Sequence, residues 1–152
     1  MASLPVSVPG MNIWDDDWGE QEEDWSGGGA LAKRLVPGGG PMLGASLYEL
    51  GPGGFAVYHA HHGSEELLVV LRGRPTLRTP TGERRLDAGD VVHFTTGPEG
   101  AHGLRNDTDE PVRYVMAGIR VTPEVVEYPD MKKVIGQSRH GIFFVHDVEE
   151  EG

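Results

Sequence analysis

Between Met42 and Val121, clusters of glycine, proline and aspartate cut the chain into short apolar runs. "MLGASLYEL" is followed by the turn "GPGG", "FAVYHAH" by "HGSE", and "ELLVVLRG" by "PTLRT" and the turn "PTGE". "RRLD", the turn "AGD", "VVHFT", a longer loop and "PVRYVMAGIRV" complete the series. Glycine supplies turn conformations and proline stops both helices and ladders. With 23 glycines and 11 prolines, long helices have little room, and short strands joined by tight turns remain. The reading is an all-β sandwich or barrel. No internal repeat at solenoid or propeller spacing is visible. After Pro123, "EVVEYPDMKKVIG" and "GIFFVHDV" suit either a short helix or edge strands.

The run "ELLVVLR" is apolar on both faces, with Glu66, Leu68 and Val70 on one and Leu67, Val69 and Leu71 on the other. A strand of that kind needs a cover outside its sheet. A second sheet, an N-terminal arm or a second copy of the chain would serve, and a homodimer is expected. The arm, "NIWDDDWGEQEEDWSGGG", mixes Trp14, Trp18 and Trp25 with acids. Acidic low-complexity segments are usually mobile, but three tryptophans favour packing on the body or on a second subunit. The expected organisation is an arm over residues 1–30, a barrel over 31–122 and a C-terminal extension over 123–152.

The net charge of −11 comes from the ends. Seven acids without a base lie in residues 1–30 and four more in the last six residues, while residues 31–146 are balanced. No basic face is available to neutralise phosphates, so nucleic acid is not an expected partner. No run approaches the roughly 18 apolar residues of a membrane span, and no apolar leader precedes Lys33. A cytoplasmic location is expected, with no membrane partner. The absence of cysteine excludes disulfides, thiolate ligands and a cysteine nucleophile.

The chemistry concentrates in "YHAHHGSEELLVVLRG". His59 and His61 are two apart, so on a strand both imidazoles point to one face. Two imidazoles and a nearby carboxylate suit one divalent transition ion: Fe, Mn, Ni, Zn or Cu. Glu66 shares a face with Leu68 and Val70 and is expected to point inward. Glu65 replaces it if the loop is one residue shorter. His102 lies downstream, where a neighbouring strand would bring it in as a fourth ligand. His62 has the wrong parity, and His140 and His146 read as solvated. Tyr48, Tyr58, Arg78, His93 and Tyr114 reach a barrel interior on one strand parity and leave it on the other. Tyr58 alternates with His59 and should face away. His93 is the one candidate for a catalytic general base, and Arg78 and Arg113 read as solvated strand-surface residues rather than anion ligands.

This spacing resembles the cupin family. The family's first motif is Gly, five residues, His-x-His, three or four residues, Glu, six residues, Gly, and Gly53, His59, His61, Glu66 and Gly73 fit it. Its second motif opens with Gly89-Asp90 and closes with His102 and Asn106. Thr95 stands where the family has proline, and the loop from Gly97 to His102 is two residues longer than usual, which puts most strain on His102. The resemblance implies a small jelly-roll barrel with His59, His61, Glu66 and His102 around one metal ion. It further implies metal-dependent chemistry on a small oxygen-bearing organic compound, of dioxygenase or isomerase type. The alternative is a non-catalytic barrel that binds a small molecule. Gly53 and Gly73 are expected to serve turns and Asn106 to bond locally.

Overall fold

The computed structural model describes residues 11–36 and 42–149, and the parts of the expected arm and C-terminal extension beyond them lie outside the described residues. Two antiparallel sheets face each other. The first contains β1 (Leu31–Arg34), β2 (Leu43–Leu50), β4 (Glu66–Arg72), β7 (Val91–Phe94) and β9 (Val112–Ile119), in the order β1-β2-β9-β4-β7. The second contains β3 (Phe55–His61), β5 (Thr76–Thr79), β6 (Gly82–Arg85), β8 (His102–Arg105), β10 (Glu124–Tyr128), β11 (Lys133–Ser138) and β12 (Gly141–Asp147), in the order β12-β11-β10-β3-β8-β5-β6. The architecture is an all-β jelly roll. Among the described residues, no helix is long and apolar enough to cross a membrane.

Alternation decides which side chains fill the space between the sheets. Leu68 and Val70 are fully buried from β4, and Leu50, Leu77, Leu104 and Val112 join them in one core. The opposite face of β4 is more open than its apolar sequence suggests, with Leu67 40% exposed. At the closed end, Asn106 donates from Nδ2 to the carbonyls of Leu50 (3.0 Å) and Glu110 (2.7 Å) and accepts from Thr108. It therefore ties its own turn to the end of β2, a longer reach than the local bonding expected.

The arm wraps the free edge of β1. The Gln21 side chain accepts from Ala32 N (2.9 Å) and donates to Ala32 O (3.2 Å), completing the edge as a neighbouring strand would. On the outer face, Arg113 binds Glu49 Oε2 (2.8 Å), the carbonyl of Ile13 (2.9 Å) and Asp16 Oδ1 (2.6 Å), beneath the rings of Trp14 and Trp18. Arg113 is 2% exposed; the expectation of a solvated arginine fails because the arm folds over it.

Several elements differ from the sequence reading. β1 and β8 were not among the expected strands, since "LAKR" and "HGLR" are short and polar. "RRLD" gives a strand earlier, at Gly82–Arg85, and releases Leu86 into the core. The chain after Pro123 forms strands and a short 3-10 turn at Pro129–Met131, not an α-helix. β10 pairs directly with β3, placing Val126 opposite His61.

Candidate metal centre

β3 carries His59 and His61, two apart and on one face, and β8 sets His102 opposite His59 in register. β4 brings Glu66 from the facing sheet. The rings of His59 and His61 are 4.9 Å apart and those of His59 and His102 4.6 Å. One ligand atom each from His59, His61 and Glu66 lies within 4.8 Å of the others. His102 Nε2 is 2.9 Å from Glu66 Oε2.

Backbone carbonyls fix two tautomers. His59 Nδ1 bonds Val57 O at 2.7 Å, and His102 Nδ1 bonds Gly100 O at 2.8 Å. A carbonyl only accepts, so each Nδ1 carries the proton and each neutral Nε2 keeps its lone pair toward the cluster. This is the outer support that metal-ligating histidines ordinarily have. His102 Nε2, Glu66 Oε2 and His61 Nδ1 are buried without a hydrogen-bond partner, although the first two are close. With the His102 proton on Nδ1, two acceptor atoms face each other at 2.9 Å, which suits a cation between them, while His61 turns Nε2 toward Glu66 (3.4 Å) and Nδ1 toward Glu124 (3.9 Å). The donor set of imidazole and carboxylate fits a borderline divalent transition ion.

The longer loop keeps His102 opposite His59 and beside Glu66, although His102 falls outside the group of ligand atoms, from His59, His61 and Glu66, that lie within 4.8 Å of one another. Pro98–Gly100 forms a 3-10 turn, and Gly97 N bonds His61 O at 2.7 Å, tying the loop to β3. Gly100 is required there, because a Cβ would stand 1.7 Å from Thr95 O. The His102 ring stacks on Phe94 with centroids 3.7 Å apart.

Burial, together with the neighbouring His102, lowers His59 to about 4. Burial also opposes a charge on His61, but the contact with Glu66 outweighs it, and His61 rises above its ordinary value. Burial would raise Glu66, yet His102 and His61 hold its carboxyl well below the usual carboxylate range. The neutral His59 imidazole and the ionised Glu66 carboxylate are the ligand forms a metal takes.

A second carboxylate stands behind the cluster. Glu124, 5% exposed, accepts from Gly63 N (2.8 Å), Val125 N (3.0 Å) and the Ser64 hydroxyl, with Oε2 3.9 Å from His61 Nδ1. Sequence reasoning missed it, because nothing in "TPEVVEY" distinguishes this glutamate until β10 is known to lie beside β3. Tyr128, from the same strand, stacks beside His59 at 5.9 Å and meets Trp25 edge-on at 5.2 Å.

The remaining candidates separate by strand parity. His93 pairs with Leu67 on the outer face and bonds Glu65 at 2.8 Å. The structure thus places His93, the general-base candidate, away from the cluster, and it leaves Glu66 rather than Glu65 beside the histidines. Tyr58 faces away under the Arg78 guanidinium at 3.9 Å, and Arg78 bonds Asp130. His62 bonds Glu127 at 2.9 Å. Tyr48 and Tyr114 point inward and stack at 5.1 Å.

His61, Glu66 and Glu124 open onto a cleft of about 330 Å³, lined also by Ser46, Ser64, Thr122, Gln137 and Ser138. A larger cavity of about 840 Å³ on the His59 side is walled by Trp18, Trp25, Tyr48 and Tyr128.

Residues 46–118 match the family described as Cupin domain. A sugar phosphate isomerase from Silicibacter pomeroyi is similar at 29% identity over 78% of this chain and 76% of that one, with a TM-score of 0.73. A putative sugar phosphate isomerase from Acidithiobacillus ferrooxidans is also 29% identical, over 80% and 81% of the two chains, with a TM-score of 0.71. The polyketide cyclase RemF from Streptomyces resistomycificus shares the fold at 17% identity over 80% and 72%, with a TM-score of 0.54. No curated protein matches the chain.

Proposed function

From the premise that this chain belongs to the cupin superfamily, we propose that it is a metal-dependent isomerase of small hydroxylated carbonyl compounds, with phosphorylated sugars the leading substrate class. The observation that carries this is the cluster's position: Glu66, whose buried Oε2 has no hydrogen-bond partner, and His61, whose Nε2 is 3.4 Å from Glu66 Oε1, lie at a cleft lined by five hydroxyl-bearing residues and an amide. Such a lining matches a polyhydroxylated ligand, since each hydroxyl exchanges its bonds to water for bonds to the wall. The two isomerase structures, at 29% identity, favour the same reading over dioxygenation.

His59, His61, Glu66 and His102 would hold the ion, whose Lewis acidity lowers the cost of removing a proton next to a carbonyl. The chain's own residues position the ligands and the substrate. Val57 and Gly100 keep the His59 and His102 lone pairs inward. Glu124 lies behind His61, 3.9 Å from its Nδ1, and Ser46, Thr122, Gln137 and Ser138 fix the substrate's hydroxyls.

The test is NMR of metal-loaded protein with a panel of phosphorylated aldoses and ketoses. Interconversion that needs metal and disappears in Glu66→Gln is expected. Saturable binding without turnover, unaffected by chelation, would instead establish the non-catalytic barrel, and oxygen uptake would establish the dioxygenase.

A further inference from the structure

The cluster occupies one end of the cleft, and the other end is basic. On the inner face of the first sheet, Glu66 is paired with Gly118, and Gly118 with Gly44. Directly opposed residues lie side by side on one face, so two positions without side chains continue the row from Glu66. Beyond them lies Arg120: its Cγ and Cδ are 3.2 and 3.6 Å from where a Cβ on Gly44 would stand. Arg34 arrives from β1, opposite Ser46 and on the same face as Gly44. Both arginines line the cleft with Ser46 and Ser138. At about 4.8 Å per strand, the glycine-floored trough is roughly 10 Å long.

Among the described residues, neither guanidinium sits in a close ion pair. Arg74, Arg78, Arg105 and Arg113 each sit in an ion pair of 2.7 Å or less. Among the described residues, the Arg120 side chain has no ion-pair or hydrogen-bond partner. Arg34 has only Glu22 at 3.9 Å, with both side chains largely exposed. Two guanidiniums without a close partner among the described residues line one polar cleft, in a chain of net charge −11, and are a local reversal of the chain's overall sign.

We propose that Arg34 and Arg120 form the subsite for the phosphate of a phosphomonoester whose carbon chain lies over Gly118 and Gly44 and whose other end reaches the cluster. The proposal rests on the isomerase reading for that other end. Two guanidiniums match the dianion in charge and in their forked donors. The trough admits a chain of a few carbons, and Gly44 leaves the floor clear beneath the Arg120 stem.

The test is calorimetric titration of the full chain, metal-loaded and chelator-treated, with inorganic phosphate, D-ribose 5-phosphate, D-ribose and D-gluconate. Wild type is compared with Arg34→Gln/Arg120→Gln and with Gly44→Val, whose folding is checked by circular dichroism. Ribose 5-phosphate should bind at least about tenfold more tightly than ribose, and the double variant should erase that advantage. Inorganic phosphate should bind with or without metal and be lost in the double variant. Gly44→Val should weaken ribose 5-phosphate more than inorganic phosphate. Phosphate binding that is absent in wild type, or unchanged in the double variant, would overturn the subsite. Gluconate binding as tightly as ribose 5-phosphate would overturn the phosphomonoester class. Phosphate binding that depends on the arginines, without turnover of any sugar phosphate, would remove the catalytic reading and leave the subsite standing.

Discussion

His59 shows how one backbone carbonyl settles a side chain's chemistry. With Nδ1–H donated to Val57 O, burial holds the ring neutral and its pKa down at about 4. A depressed folded pKa gives stability that is present above the unfolded value near 6.5 and lost as the pH falls toward 4. Raised His61 works the other way and returns part of it. Metal-free protein should therefore lose up to about 3 kcal/mol between pH 7 and pH 4 through His59. Thermal melts should show this fall, and His59→Phe should flatten it. Glu124→Gln should leave the fold intact but loosen His61, weakening metal affinity by about 10- to 100-fold in competition with a chelator. At this scale the sequence was partly legible. Period-two spacing aligned His59 with His61 and aimed Glu66 inward, whereas Glu124 became visible only through the pairing of β10 with β3.

The strands between Leu43 and Ile119 were legible because apolar alternation and glycine-rich turns agree there. β8 was not, because "HGLR" has one apolar side chain and depends on β3 and β5 for its ladder. Past Pro123, helix and strand were equally compatible with the local pattern, and the edge of β3 decided between them. On β4, Leu68→Ala should cost about 2–5 kcal/mol by opening a cavity, while Leu67→Ala, on the half-open face, should cost under about 1 kcal/mol. Urea melts of the two variants measure the asymmetry. Arg113 is one anchor of the arm. Arg113→Met strands Glu49 without its partner and should cost on the order of 3 kcal/mol, with a change in tryptophan fluorescence as Trp14 and Trp18 lose their cation. Asp16→Asn removes only a solvent-exposed partner and should cost under about 1 kcal/mol.

Across the whole molecule, the jelly roll gathers imidazoles and a carboxylate that no single segment could assemble. His59 and His61 come from one strand, His102 from its neighbour, and Glu66 from the opposite sheet, at the end of the barrel where the cleft opens. The same closure brings Glu124 behind the site and sets Arg34 and Arg120 across the glycine trough from it. The expectation of a homodimer carries forward as a proposal, since the outer face of β4 and β7 leaves Leu67 and Val91 accessible in the single chain. Mass spectrometry of untagged protein, read for metal content, tests whether the metal centre exists. Wild type should carry close to one divalent transition ion per chain, and His59→Ala/His61→Ala should carry almost none while keeping its β-sheet spectrum. Wild type that takes up no metal even after supplementation, or a folded double variant that retains it, would contradict the account.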